Sequence, residues 1–330
     1  MKILVTGAEG FIGSHLVERL IDNKFHVKAL IKYNFTNSCG WLESIQLKNN
    51  KYLTIVPGDI NDYKLIENIS KDCSHIINLA ALISIPYSYD APISNFKTNL
   101  DGVLNLLEII KSDKKKILIH TSTSEVFGSA IYTPMDENHP LQAQSPYAAS
   151  KIAADQACIS YFNSFNAKVI ILRPFNTYGP RQSNRAVIPT IINQIIKKND
   201  KLKIGSVFPK RDFTFVDDTV EAYLCALKLK NIYGEQFNLG ISKDFSILET
   251  IRLISKIMHY DFKIQEEVIR KRPINSEVNK LLSNNKKALK ILKWKPKYTG
   301  KKGFERGLIK TIKWFKENKE NSLLIENYTK

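Results

Sequence analysis

Cysteine is scarce in this 330-residue chain, and its four, Cys39, Cys73, Cys158 and Cys225, stand far apart. No pair has zinc or dithiol spacing, which excludes a disulfide scaffold and a cysteine metal centre and predicts free, buried thiols in a reducing compartment. No apolar run approaches the roughly 18 residues of a membrane span, so none is predicted. Only Ile3-Leu4-Val5 precedes Gly7, too short for a signal-peptide core, and a cytoplasmic location is the expectation by elimination. Internal repeats and low-complexity linkers are absent, which argues against solenoids and disordered arms. Acidic residues are outnumbered, 32 Asp+Glu against 49 Lys+Arg, for a net charge of +17. From residue 251 onward the count is 21 Lys+Arg against 8 Asp+Glu. That excess raises the question of nucleic acid. No basic helix is interleaved with aromatics, however, so no nucleic-acid partner is expected; an anionic substrate would profit from the same field.

The length allows two domains or one large one, and the hydrophobic content of 43% is that of a globular protein. Lys2 to Thr6 is a short apolar run ending at glycine. Gly7, Gly10 and Gly13 follow in Gly-x-x-Gly-x-x-Gly, then a helical pattern from Ser14 to Ile21. Strand, glycines and helix in that order form the context of a dinucleotide site: the glycines admit a pyrophosphate, and the helix start offers it N–H groups and a positive dipole end. The second strand reads Val27 to Ile31. An acid is expected near its end to hold the adenosine ribose, yet Ile31, Lys32, Tyr33 and Asn34 include none. That leaves NAD versus NADP open, since Lys32 could meet a 2′-phosphate or face water.

Strands at Tyr52 to Val56, His75 to Leu79 and Lys116 to His120 alternate with helices at Asp62 to Ser70 and Ser94 to Ile110. The rhythm predicts a Rossmann-type, doubly wound parallel α/β sheet. Asp59, after Pro57-Gly58, reads as an adenine contact or a turn aspartate. Ala80-Ala81 gives a cofactor room to approach. His75 and His120 read as strand histidines, because neither has a second ligand at metal spacing, and no metal is expected.

The stretch from Thr121 to Lys151 carries the candidate chemistry. Thr121-Ser122-Thr123-Ser124-Glu125 stands at a strand end, where open α/β sheets keep their ligands. Ser145 reads as a helix N-cap with Pro146 at the first helical position. Tyr147 and Lys151 then share one helix face at i and i+4. A phenol is a poor base at neutral pH, and the expectation is that the Lys151 cation pulls its pKa down.

Beyond Lys168 to Leu172 the rhythm loosens. Val187 to Lys198 reads as a helix, Arg211 to Asp218 as a strand leading into a capped helix, Ser246 to Glu249 as a capping box opening a helix to Met258, and Gly303 to Phe315 as a last amphipathic helix. The expected division is a nucleotide-binding domain over 1–175 and a smaller, interleaved α/β substrate domain over 176–330, with 213–240 returning to the first.

The motifs Thr6-Gly7-x-x-Gly10-Phe11-Ile12-Gly13, Asn78-Leu79-Ala80-Ala81, Tyr147-x-x-x-Lys151 and Arg173-Pro174-Phe175-Asn176 resemble the extended short-chain dehydrogenase/reductase superfamily along nearly the whole chain. Ile85-Pro86-Tyr87-Ser88-Tyr89, Thr121 to Gly128, Pro140 to Tyr147 and Arg181 to Pro189 are similar to the nucleotide-sugar 4,6-dehydratases, above all to the N-acetylglucosamine-nucleotide enzymes of legionaminic acid pathways. The resemblance implies bound NAD and a nucleotide-sugar substrate, with guanine or uracil as the base. It implies catalytic roles for Thr123, Ser124, Glu125, Tyr147 and Lys151, with Glu125 as the base for the sugar C5 proton. Cofactor contacts are implied for Gly7, Gly10, Phe11, Ile12, Gly13, Lys32, Asp59, Ile60, Leu79, Ala80, Ala81, Asn99, Thr121, Tyr147, Lys151 and Pro174. Substrate contacts are implied for Ser84, Thr123, Asn176, Arg185, Val187, Arg211 and Arg272. Ser124 departs from the pattern: many hexose dehydratases carry an acid there, and serine is too weak an acid to replace it. A homodimer through the helices at Ser94 to Ile110 and Tyr147 to Phe165 is also implied. A 4-epimerase, a glucuronate decarboxylase and a non-catalytic nucleotide-binding regulator are the alternatives on this scaffold.

Overall fold

The computed structural model describes residues 1–46 and 50–318. Seven strands form one parallel sheet. Six of them are β1 (Lys2–Thr6), β2 (His26–Lys32), β3 (Leu53–Gly58), β4 (His75–Asn78), β5 (Ile117–Thr121) and β6 (Val169–Pro174). The strand Gln236–Leu239 is the seventh, beside β6, and the order continues β5, β4, β1, β2, β3. The order reverses between β1 and β4, which opens a crevice at their carboxyl ends.

The strand sequences explain why both faces are covered. Successive side chains point to opposite faces. Ile3 and Val5 enter one core while Leu4 between them enters the other; Ala29 and Ile31 are likewise separated from Leu30. A parallel strand buried on both sides needs such an unbroken apolar run. Leu16, Val17 and Leu20 of the helix Phe11–Asp22 and Val220 and Tyr223 of the helix Val216–Lys228 fill the first face. Leu106, Leu107 and Ile110 of Gly102–Ser112 and Ala154 and Cys158 of Pro146–Phe165 fill the second.

The helices begin and end largely where the sequence predicts. Ser145 caps Pro146–Phe165 by accepting from Ala148 N. Ser246 and Glu249 form both halves of the capping box on Ile247–Met258. The helix Val216–Lys228 is different. Its N-cap is Phe215, with no side-chain cap. Asp218, in its first turn, accepts from Lys297 N and Tyr298 N at 2.7 and 2.8 Å, tying the late chain to this helix. The expected helix over Ser94 to Ile110 is interrupted: Pro92–Phe96 and Gly102–Ser112 are joined by a π-helical turn, Lys97–Asp101.

A second sheet is built later in the chain. Lys210–Phe215 pairs with Asn176–Tyr178 and Lys280–Leu281 in parallel and with Asp244–Ser246 antiparallel. Behind it an aromatic cluster packs Phe213 on Phe304, stacked at 5.3 Å, with Tyr178 edge-on to both. None of the four cysteines forms a disulfide; Cys73 and Cys158 are buried, whereas Cys39 and Cys225 are only partly so. No helix among the described residues is long and apolar enough to cross a membrane.

Candidate active site

One large cavity of about 1020 Å³ runs from the glycine loop at the end of β1 to the loop around Arg272. It is lined by every residue the sequence marks for the site except Ser124 and Asn99. Thr6 organises its floor. Thr6 Oγ1 donates to Asn78 Oδ1 at 2.6 Å and accepts from Leu79 N and Ala80 N at 3.2 and 3.1 Å. The bonds press the β4 end against Gly7, whose φ is +63° and where a Cβ would lie 2.8 Å from Ala80 N. At Gly13 a Cβ would lie 2.2 Å from the Gly7 carbonyl oxygen. Gly10 is the N-cap of the helix Phe11–Asp22 and brings no side-chain cap. The first-turn N–H groups of that helix are therefore available to an anion, with the dipole adding to the attraction.

Asn99 is buried in the π-turn and does not line the cavity. Its Oδ1 accepts from Leu82 N at 2.8 Å, and its Nδ2 donates to Leu82 O and Ser150 Oγ. It braces the loop after β4 from behind rather than presenting itself to a ligand. Ser124 is buried in the short turn Ser124–Phe127, away from the lining.

Tyr147 and Lys151 do share a helix face in the cavity, but they are not coupled as the sequence suggests. Burial pushes the Tyr147 phenol well up from its ordinary value; a hydrogen bond with Thr123 pulls the other way, and Glu125 and Asp155 add to the rise. Lys151 Nζ donates to the Thr121 carbonyl at 2.6 Å. Burial lowers the Lys151 ammonium to about 8, with Asp155 opposing. Where the sequence leads to the expectation that the Lys151 cation lowers the phenol, the phenol stands above its ordinary value instead, with burial as the largest cause.

Beneath this pair lies a buried polar network. Asp155, one turn beyond Lys151, accepts from Ser122 Oγ at 2.6 Å and from Arg173 Nη2 at 2.8 Å. Arg173 Nη2 also reaches Gln236 Oε1 at 2.7 Å, and its guanidinium lies over Phe127. His120 Nε2 is 3.5 Å from Asp155. Removing one member of such a fully buried pair strands the other, typically at a cost of about 3–5 kcal/mol. The network therefore fixes the ends of β5 and β6 relative to the helix that carries Tyr147.

Thr123 Oγ1 accepts from Glu125 N at 3.3 Å, which turns the chain so that Glu125 faces the cavity. Arg272 donates to both Glu125 carboxylate oxygens, Nη1 at 3.2 Å and Nη2 at 3.5 Å. Arg211 lies nearby and pairs with Glu277 at 3.4 Å. Asn176 lines the same region, and its Oδ1 is buried without a hydrogen-bond partner. At the opposite end Lys32 forms an ion pair with Asp59. The sequence reading missed Glu277 and Glu9, both of which line the cavity. Glu277 lies 66 residues from the arginine it meets. Glu9 stands between two of the fingerprint glycines, Gly7 and Gly10.

The arrangement joins an anion-receptive glycine loop, a buried phenol with a lysine on its face, a carboxylate, and two arginines in one cavity. The family profile described as GDP-mannose 4,6 dehydratase matches residues 4–307. The chain belongs to that family, within the extended short-chain dehydrogenase/reductase superfamily of nucleotide-sugar dehydratases and epimerases. It is 35% identical over 321 residues to a putative UDP-glucose 4-epimerase of Methanocaldococcus jannaschii, covering 96% of this chain and 99% of that one. The dTDP-glucose 4,6-dehydratase of Bacillus anthracis, solved in complex with NAD, superposes with a TM-score of 0.86 at 29% identity, over 97% of this chain and 98% of that one. The UDP-glucuronic acid 4-epimerase of Bacillus cereus, solved in complex with UDP-glucuronic acid and NAD, superposes at 0.86 with 30% identity, over 96% and 99% of the two chains.

Proposed function

We propose that the protein is an NAD-dependent 4,6-dehydratase of a nucleotide-activated N-acetylglucosamine, GDP- or UDP-linked, yielding the 4-keto-6-deoxy sugar nucleotide. Such a product feeds nonulosonate synthesis, as in legionaminic acid, or other bacterial surface glycans. The observation that carries the reading is Glu125, a carboxylate in the same cavity as Tyr147 and Thr123. A 4-epimerase needs no base for C5.

The glycine loop fits NAD: there is no room for a Cβ at Gly7 or Gly13, and no side chain blocks the helix start. Bound there, the nicotinamide would supply the acceptor and later the donor for the sugar C4 hydrogen. Gly7, Gly10, Phe11, Ile12, Gly13, Ile60, Leu79, Ala80, Ala81, Thr121 and Pro174 would hold the cofactor. Tyr147 would take the C4 hydroxyl proton, with Thr123 hydrogen-bonded to the same oxygen. Lys151, on the same helix face, would set a positive charge against the rise that burial imposes on the phenol. Glu125 would take the C5 proton once C4 is a ketone and pass it to the C6 hydroxyl, which leaves as water; C6 then receives the hydride taken from C4, and C5 a proton. Positioned acid–base groups of this kind are each worth about 10² to 10⁴ in rate. Asn176, Arg185, Arg211 and Arg272, with Ser84 and Val187, would hold the sugar and its diphosphate; the orphaned Asn176 Oδ1 supports a donor arriving there. The enzyme would work as a cytoplasmic homodimer.

The test is incubation of purified protein with GDP- and UDP-N-acetylglucosamine and measurement of product mass. Loss of one water supports dehydration. Unchanged mass would favour the second reading, a 4-epimerase, which the relative in Methanocaldococcus jannaschii recommends.

A further inference from the structure

We infer that Glu9, in the glycine loop, is the acid that receives the adenosine ribose and selects NAD over NADP. The inference rests on the reading above that the cavity binds a nicotinamide dinucleotide.

In a doubly wound fold that acid ordinarily stands at the end of the second strand. Here the end of β2 reads Ile31-Lys32-Tyr33-Asn34 and supplies none. Glu9, just past the neighbouring strand β1, reaches the same point. Its Oε1 accepts from the Lys32 backbone N–H at 2.7 Å. Its own backbone is fixed, with the Glu9 carbonyl accepting from Trp41 N at 3.3 Å. The second carboxylate oxygen, Oε2, is buried and has no hydrogen-bond partner. Glu9, Ile31, Lys32, Trp41 and Asp59 all line this end of the cavity.

A buried carboxylate oxygen without a donor is costly, and a ligand that brings a donor removes the cost. The ribose hydroxyls of NAD bring one. The 2′-phosphate of NADP brings none, and it places like charge beside the carboxylate. Lys32 does not offset that charge. Its ammonium is engaged by Asp59, and its side chain is 69% exposed, so any help it gave a phosphate would be screened by water.

The test measures calorimetric affinity of the cofactor-free protein for NAD and for NADP, in the parent, Glu9→Gln and Lys32→Ala. The glutamine keeps an oxygen for the Lys32 N–H, so the loop is retained and only the acceptor Oε2 is lost. The parent should prefer NAD. Glu9→Gln should reduce the NAD:NADP affinity ratio by roughly ten- to a hundredfold, the range of one charge-assisted hydrogen bond. Lys32→Ala should keep the preference, because only its backbone meets Glu9. An unchanged ratio in Glu9→Gln, or a parent that binds both cofactors equally, would overturn the assignment. Lost NAD preference in Lys32→Ala would do the same. A parent that binds neither dinucleotide sinks the cofactor reading itself, and this inference with it.

Discussion

Replacing Glu125 by glutamine separates the two half-reactions the cavity is proposed to run. Glutamine has nearly the same shape. Its amide oxygen can still accept one of the two bonds from Arg272, now at 3.2 and 3.5 Å. What disappears is one charge-assisted bond of a largely buried pair. That should lower stability by about 1.5–3 kcal/mol. The loss of a general base is larger, about 10² to 10⁴ in rate, or roughly 3–5 kcal/mol in barrier height. Folding and catalysis are therefore distinguishable, because the stability term cannot produce the kinetic one. Tyr147, Thr123 and Lys151 are untouched, so oxidation at C4 should continue. The assay is a single-turnover mixture of enzyme and sugar nucleotide, followed by nicotinamide absorbance and product mass. The expected record is reduced cofactor that accumulates and a dehydrated product that fails to form. Dehydration at the parent rate would refute the role of Glu125. Loss of C4 oxidation as well would show that Glu125 serves the first step or the fold.

The remaining tests are simpler. Tyr147→Phe should abolish C4 oxidation by about 10² or more while leaving the thermal midpoint near that of the parent, measured by rate and calorimetry. Lys151 titrates near 8 in the fold against 10.5 in the open chain. Charging it therefore costs stability below pH 8, and the cost is released as pH rises from about 8 towards 10.5. Relative to Lys151→Met, the parent should gain up to about 3 kcal/mol between pH 7 and pH 10 in denaturant titrations; a constant difference would contradict the burial argument. Ser246→Ala removes the hydroxyl half of a two-sided cap and should cost about 1 kcal/mol, read as a lower thermal midpoint.

Much of the scaffold was legible because local rules write it. The glycine spacing, the proline after Ser145 and the Ser246–Glu249 pair each act within one turn of chain, and the apolar runs report strands buried on both faces. The site was legible as residue types but not as contacts. Arg272 meets Glu125 across 147 residues, and no periodicity encodes such a meeting. Asp218, in the first turn of its helix, holds a segment 79 residues away. Asn99 sits in a π-turn and bonds Leu82 and Ser150 rather than lining the cavity. The direction of the Tyr147 shift depends on burial, which a spacing of four residues does not reveal.

The proposal that hydrogen leaves C4 and returns to C6 of the same sugar can be tested with substrate carrying deuterium at C4. Purified enzyme is incubated with the labelled N-acetylglucosamine nucleotide, and the product is located by mass and NMR. The expected result is a 4-keto sugar with the deuterium on its C6 methyl group. Deuterium returned to C4 of an undehydrated sugar would contradict it.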